Sequence, residues 1–180
     1  MKYSLIYSIA LFFSISFTTY SMERNKVFLN DSIVYFRGGI VEPACTVSPE
    51  SENQVVDLGV ISSNQFNGVG SHSIKIPFFI KLMNCNKNMA DKVSVYILGD
   101  VDNKDKRLFN ITEKQNSALG VGVALFNSED EIIIPNNINK YKFIEENELK
   151  LEFKASYLAT RKTVIGGKAD SVVWFVFNYH

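Results

Sequence analysis

Apolar and polar positions alternate with a period of two along most of this chain, and that period puts successive side chains on opposite faces of a strand. Residues 149–157 show it most cleanly, with Leu149, Leu151, Phe153, Ala155 and Tyr157 on one face and Lys150, Glu152 and Lys154 among those on the other. Residues 73–82 repeat it, with Ile74, Ile76, Phe78, Ile80 and Leu82 sharing a face. Apolar runs at 55–61, 93–98 and 120–126 predict further strands. The last, residues 171–179, sets Val173, Phe175, Phe177 and Tyr179 against Val172, Trp174 and Val176. Polar, turn-rich links such as 100–106 and 135–140 separate these runs. Many short strands with such links, and almost no helical period, predict an all-β sandwich or barrel.

The same alternation appears once more, ahead of these strands. Ser32, Val34, Phe36, Gly38 and Ile40 alternate with Ile33, Tyr35, Arg37 and Gly39. A free strand at the front of a domain is a hazard, because its unpaired backbone groups invite pairing with another chain. Gly38 and Gly39 admit a second reading, as a bulge or bend at the strand's end. What precedes the segment bears on its setting. Lys2 is followed by an apolar run over residues 5–17, and Thr19 and Ser21 are small residues two apart. That order predicts a secretory signal peptide over 1–21, with a mature chain from Met22. The run is short for a membrane span, which takes ~20 residues, although an N-terminal anchor is the alternative. The expected organisation is a leader (1–21), an N-terminal arm (22–42) and one domain (43–180).

Charge adds little: the formal net charge is +0, so the basic excess of a nucleic-acid binder is missing. The two cysteines, Cys45 and Cys85, read as one disulfide in an exported chain. Closing a loop of about 40 residues stabilises a fold by roughly 4 kcal/mol in the chain-entropy picture. Their spacing is too long for a chelating pair, and neither histidine is close to them in sequence.

Catalytic patterns are weak. The histidines are His72 and His180. A serine triad would have to use His72 beside Ser71 or Ser73, with no nucleophile-elbow turn, so a loop histidine is the better reading. The stretch from Asp100 resembles a calcium loop faintly, but it carries Lys104, Asp105 and Ile111 where a ligand, a glycine and a glutamate belong. Glu129, Asp130, Glu131, Glu145 and Glu146 read as solvated surface charge, and Gly120 with Gly122 lacks the third glycine of a nucleotide loop. No cofactor and no metal site is expected.

Taken in order, several segments resemble the type 1 pilins of chaperone–usher fimbriae. They are residues 34–47 (VYFRGGIVEPACTV), 56–59 (VDLG), 79–85 (FIKLMNC), 120–123 (GVGV), 153–160 (FKASYLAT) and the end from Gly166 to His180. Gly167 and Tyr179 fall where the family's C-terminal pattern needs them, and the resemblance spans the chain after the leader. Glu42 and Pro43 depart from the small polar residues usual before the cysteine, and Trp174 and Phe177 make the final strand bulkier than in many pilins.

The resemblance implies an incomplete immunoglobulin-like β-sandwich that lacks its final strand. A periplasmic chaperone would fill the gap first, and the arm of the next subunit would replace it at an outer-membrane usher, a recognised case of strand addition. On that pattern Val34, Phe36, Gly38 and Ile40 form the donor face, and Cys45 with Cys85 the disulfide. Gly167, Val173, Phe175, Phe177, Tyr179 and His180 form the strand that chaperone and donor address. The implied protein is a non-enzymatic structural subunit of a surface fimbria, polymerising head to tail. Its partners would be chaperone, usher and neighbouring pilins, with neither nucleic acid nor membrane insertion. A minor adaptor or tip-associated glycan-binding subunit is the alternative within the family, and a secreted enzyme or inhibitor on a sandwich fold the alternative outside it.

Overall fold

The computed structural model describes residues 34–40, 42–112, 114–139, 142–145 and 147–180. The expected leader, and the arm before Val34, lie outside the described residues. The chain divides into two units, Met1–Ile40 and Val41–His180. In the first unit, residues 34–40 belong to no strand and are exposed.

The second unit is all-β. In chain order its strands are β1 (Thr46–Val47), β2 (Ile76–Met83), β3 (Lys92–Gly99), β4 (Val121–Phe126), β5 (Lys142–Phe143), β6 (Leu149–Ala159) and β7 (Val173–Tyr179), with one 3-10 turn at Ser63–Gln65. One sheet runs β1-β2-β6-β4 and the other β5-β3-β7, with antiparallel pairing throughout. The alternation read from the sequence sets the packing. Leu149, Leu151, Phe153 and Ala155 of β6 meet Val93, Val95 and Ile97 of β3 in one core, together with Ile80, Leu82, Val123 and Leu125. Strand β4 is buried on both faces, because the segment carrying Leu108 covers the back of its sheet beside Ala124, Phe126 and Leu158. Gly122 allows that close approach, since a Cβ there would stand 2.9 Å from Leu108 Cβ and 3.1 Å from the Phe109 carbonyl oxygen.

Cys45 and Cys85 form the disulfide, tying the start of β1 to the end of β2 across 40 residues of sequence. Both cysteines are buried, and Asn86 N–H donates to the Ala44 carbonyl at 2.7 Å beside the bridge.

Two expectations from the pattern need correction. Residues 55–61 form no strand. The Asp57 carboxylate accepts the Gly59 N–H at 2.8 Å, and Gly59 turns with φ +75°, so the run breaks in the middle. Within it Leu58 packs on the core while Val60 is fully exposed. Strand β2 begins at Ile76, leaving Ile74 exposed, because Ser73 ties its backbone and hydroxyl to Tyr157. The short strands β1 and β5 carried no periodic signal.

The bridge and the central β3 positions should dominate stability. Replacing Cys45 and Cys85 together by alanine is expected to lower the unfolding free energy by roughly 4 kcal/mol. Ile97→Ala, at a fully buried site, should cost about 2–5 kcal/mol. Urea titration followed by circular dichroism measures both.

Candidate assembly site

Strand β7 lies at an edge of its sheet, paired with β3 alone among the described residues. The register aligns Val93 with Tyr179 and Gly99 with Val173. Next to this ladder His180 and Lys92 exchange two backbone hydrogen bonds, at 2.9 and 3.2 Å. Antiparallel strands alternate hydrogen-bonded and non-hydrogen-bonded pairs. Ser94 with Asn178, Tyr96 with Val176 and Leu98 with Trp174 therefore form the bonded pairs. The N–H and C=O groups of Val173, Phe175, Phe177 and Tyr179 consequently point away from β3, toward the open edge.

The side chains of these same residues point into the sandwich, yet none is fully buried. They form one wall of an open apolar groove. Phe78 on β2 and Phe153 on β6 meet Phe175 edge-on, with ring centroids 6.1 and 5.2 Å away. Val47, Leu58, Phe66, Tyr157, Val164 and Ala169 also sit half-buried against the core. Among the described residues, strand β7 therefore sets backbone polar groups that β3 leaves unpaired beside half-covered apolar side chains. That combination suits an added strand and little else.

Two phenols in this half-buried set bond to backbone carbonyls. Tyr179 donates its hydroxyl to the Cys45 carbonyl at 3.1 Å, and Tyr157 donates to the Ala169 carbonyl at 3.0 Å. Burial pushes both phenols above their usual range, with Asp170 and Asp57 adding to the effect at Tyr157. Near Tyr157 opens a cleft of about 290 Å³, lined among others by Asp57, Val121, Val164, Gly167 and Asp170. Gly167 lies in this cleft rather than in β7. A Cβ at Gly167 would come within 2.6 Å of the backbone at Asn116 and Ala118, so a side chain there would push the two segments apart. Lys168 and Ala118 secure the contact with a 2.7 Å backbone bond.

The residues expected to act together are thus divided. Val173, Phe175, Phe177 and Tyr179 share one edge, and His180 continues the β3 ladder, with its Nε2 2.9 Å from Ser94 Oγ. Val34, Phe36, Gly38 and Ile40 lie in the other unit and are exposed, Phe36 at 93%. A Cβ on Gly38 would meet nothing within 4 Å. The groove's opposite wall, Phe78 above all, was missed, because its alternating face looks like any core strand until the topology leaves it uncovered. His72 bonds through Nδ1 to the Ser73 carbonyl oxygen, a loop contact.

The fimbrial protein family model matches residues 34–180, starting within the arm and running through β7. The chain belongs to the fimbrial protein family. It is 32% identical over 149 residues to long polar fimbria protein A of Salmonella typhimurium, covering 83% of this chain and 84% of that protein. Among solved structures it matches a type I fimbria protein and antigen of Burkholderia pseudomallei, at 26% identity and TM-score 0.59 over 77% of this chain and 91% of that one. The P pilus rod subunit PapA shares the fold, with TM-score 0.64 at 18% identity over 77% of this chain and all of that one. The incomplete immunoglobulin-like sandwich is therefore the architecture of this fimbrial subunit. Its role is structural rather than enzymatic, and proteins of this family form surface fimbriae.

The two faces of β7 should respond differently to substitution. Tyr179→Phe removes the bond to Cys45 and should cost about 0.5–1.5 kcal/mol, whereas Trp174→Ala on the exposed face should change stability by less than about 0.5 kcal/mol. Raised phenols also favour the neutral form in the folded state. Their contribution is complete below the unfolded phenol pKa, about 10, and is lost as pH rises through the folded values. Thermal melts of Tyr157→Phe and Tyr179→Phe should therefore fall less steeply with alkaline pH than those of the parent.

Proposed function

We propose that this fimbrial subunit polymerises head to tail, lending residues 34–40 to the open edge of β7 in a neighbouring copy. The carrying observation is that β7 aligns its unpaired backbone groups with its half-buried side chains. A guest strand with apolar residues at every second position meets both needs at once. Val34, Phe36 and Ile40 supply the apolar set, each worth roughly 1.5–3 kcal/mol when buried. Each backbone hydrogen bond to the edge adds about 0.5–1.5 kcal/mol net. Gly38 passes where the groove is too shallow for a side chain, and Pro43 stiffens the connection to Cys45. Leu58, in the broken run at residues 55–61, packs half-buried against the same core and adds apolar surface to it.

Before assembly the same edge needs cover. A periplasmic chaperone lends a strand to β7, and an outer-membrane usher exchanges chaperone for subunit. The route is export through the periplasm to the cell surface. The joint uses two different surfaces, and such head-to-tail contacts give an open filament when the rotation between copies does not close. The arm's full alternation favours a shaft subunit, which must both give and receive a strand, over a tip subunit that only receives one.

Co-expression with the cognate chaperone, with and without residues 22–40, tests this. Both forms should bind the chaperone, and only the full-length form should build rods. Equal assembly by the truncated form would sink the donor-strand reading. Gly38→Leu should slow assembly about tenfold or more, as overpacking of about 1–3 kcal/mol implies, while leaving the chaperone complex intact. Unchanged rates would reduce Gly38 to a bend.

A further inference from the structure

Beyond the polar Ser94–Asn178 pair, the outward face of the β5-β3-β7 sheet is apolar where a solvated sheet face is usually polar. Trp174 is 59% exposed and Val176 44%, and they stand directly opposite Leu98 and Tyr96 on β3. Ile138 bridges to Tyr96 from the far side, also exposed. Two cross-strand rows result, Ile138–Tyr96–Val176 and Leu98–Trp174. Both run to the open edge of β7 and stop there.

A strand added to that edge extends both rows. If Val34, Phe36 and Ile40 enter the groove, the pleat turns Tyr35 and Arg37 to the outside. Their spacing of two matches that of Trp174 and Val176, whichever way the guest runs. The chemistry fits as well. An indole face attracts a guanidinium, and a tyrosine ring covers apolar surface while its hydroxyl stays wet. Tyr35 and Arg37 are both exposed in the lone subunit. The geometry points to a second clasp outside the groove, in which Tyr35 and Arg37 of one copy cover Trp174 and Val176 of the next. This rests on the donor-strand reading and adds a face to it. The groove face supplies the bulk of the affinity. The outer clasp makes a copy of this same chain a better guest than a strand carrying only the groove residues.

Trp174 is the single tryptophan, so its fluorescence reports on the clasp directly. Rods of the full chain should shield Trp174 from acrylamide, and rods of the Tyr35→Ser/Arg37→Ser variant should not. The quenching constants should differ about twofold or more, as expected when a half-exposed ring is covered from one side. Equal quenching in both rods would overturn the clasp while leaving the groove untouched. Rods that still form from Phe36→Asp would overturn the groove reading and the clasp with it. Rod dissociation provides a second measurement that does not need the fluorophore. Trp174→Thr and Arg37→Ser should each speed dissociation about tenfold, and the combination should be no faster than either alone. Additive effects would show that the two residues do not touch, and would overturn the clasp.

Discussion

Backbone hydrogen bonding along one edge of one strand governs this molecule. An N–H or C=O group left without a partner and shut away from water costs about 1–3 kcal/mol, so an edge strand beside an apolar core is stable only if water or another chain reaches it. In β7 the groups of Val173, Phe175, Phe177 and Tyr179 face outward from the ladder with β3. Their side chains meanwhile reach a core that the fold leaves half-covered. Among the described residues no strand lies beyond β7 in its sheet, and its inward side chains are only half-buried.

The rest of the fold keeps that opening in place. The central sheet positions, Val93, Ile97 and Leu82, are fully buried and hold the two layers together. The Cys45–Cys85 bridge fixes β1 to β2. Tyr179 reaches from the end of β7 to the Cys45 carbonyl, so the open edge and the disulfide are linked by a single hydrogen bond. At the other end the backbone of Gly167 is pressed against residues 116–118, which shapes the cleft beside Tyr157. On the donor-strand proposal, anchoring of this kind favours a guest strand in register, because a one-residue slip would turn every guest side chain to the wrong face.

Much of this was legible in the alternation. Residues 149–157 and 93–98 have one buried face and an uninterrupted run, and they became β6 and β3 with ends displaced by only a residue or two. The run at 55–61 is also mostly apolar but failed, because Asp57 and Gly59 make a local turn that competes with pairing. Strands β1 and β5 are too short to show a period. The disulfide followed from the cysteine count and the expected export. The groove was less accessible. Nothing in the sequence around Phe78 distinguishes a half-covered wall from a core strand, since coverage depends on which strand is absent from the sheet order. That the edge belongs to a fimbrial subunit came from the resemblance over residues 34–180, not from periodicity.

The central claim is that alternate residues of β7 carry the unsatisfied groups. Amide hydrogen exchange, resolved by residue in the isolated subunit and in assembled rods, tests it most directly. In the subunit, the amides of Trp174, Val176 and Asn178 should be protected through β3, while those of Val173, Phe175, Phe177 and Tyr179 exchange freely. In rods both sets should be protected. Uniform protection along β7 before assembly, or an outward set that still exchanges freely in rods, would contradict the claim.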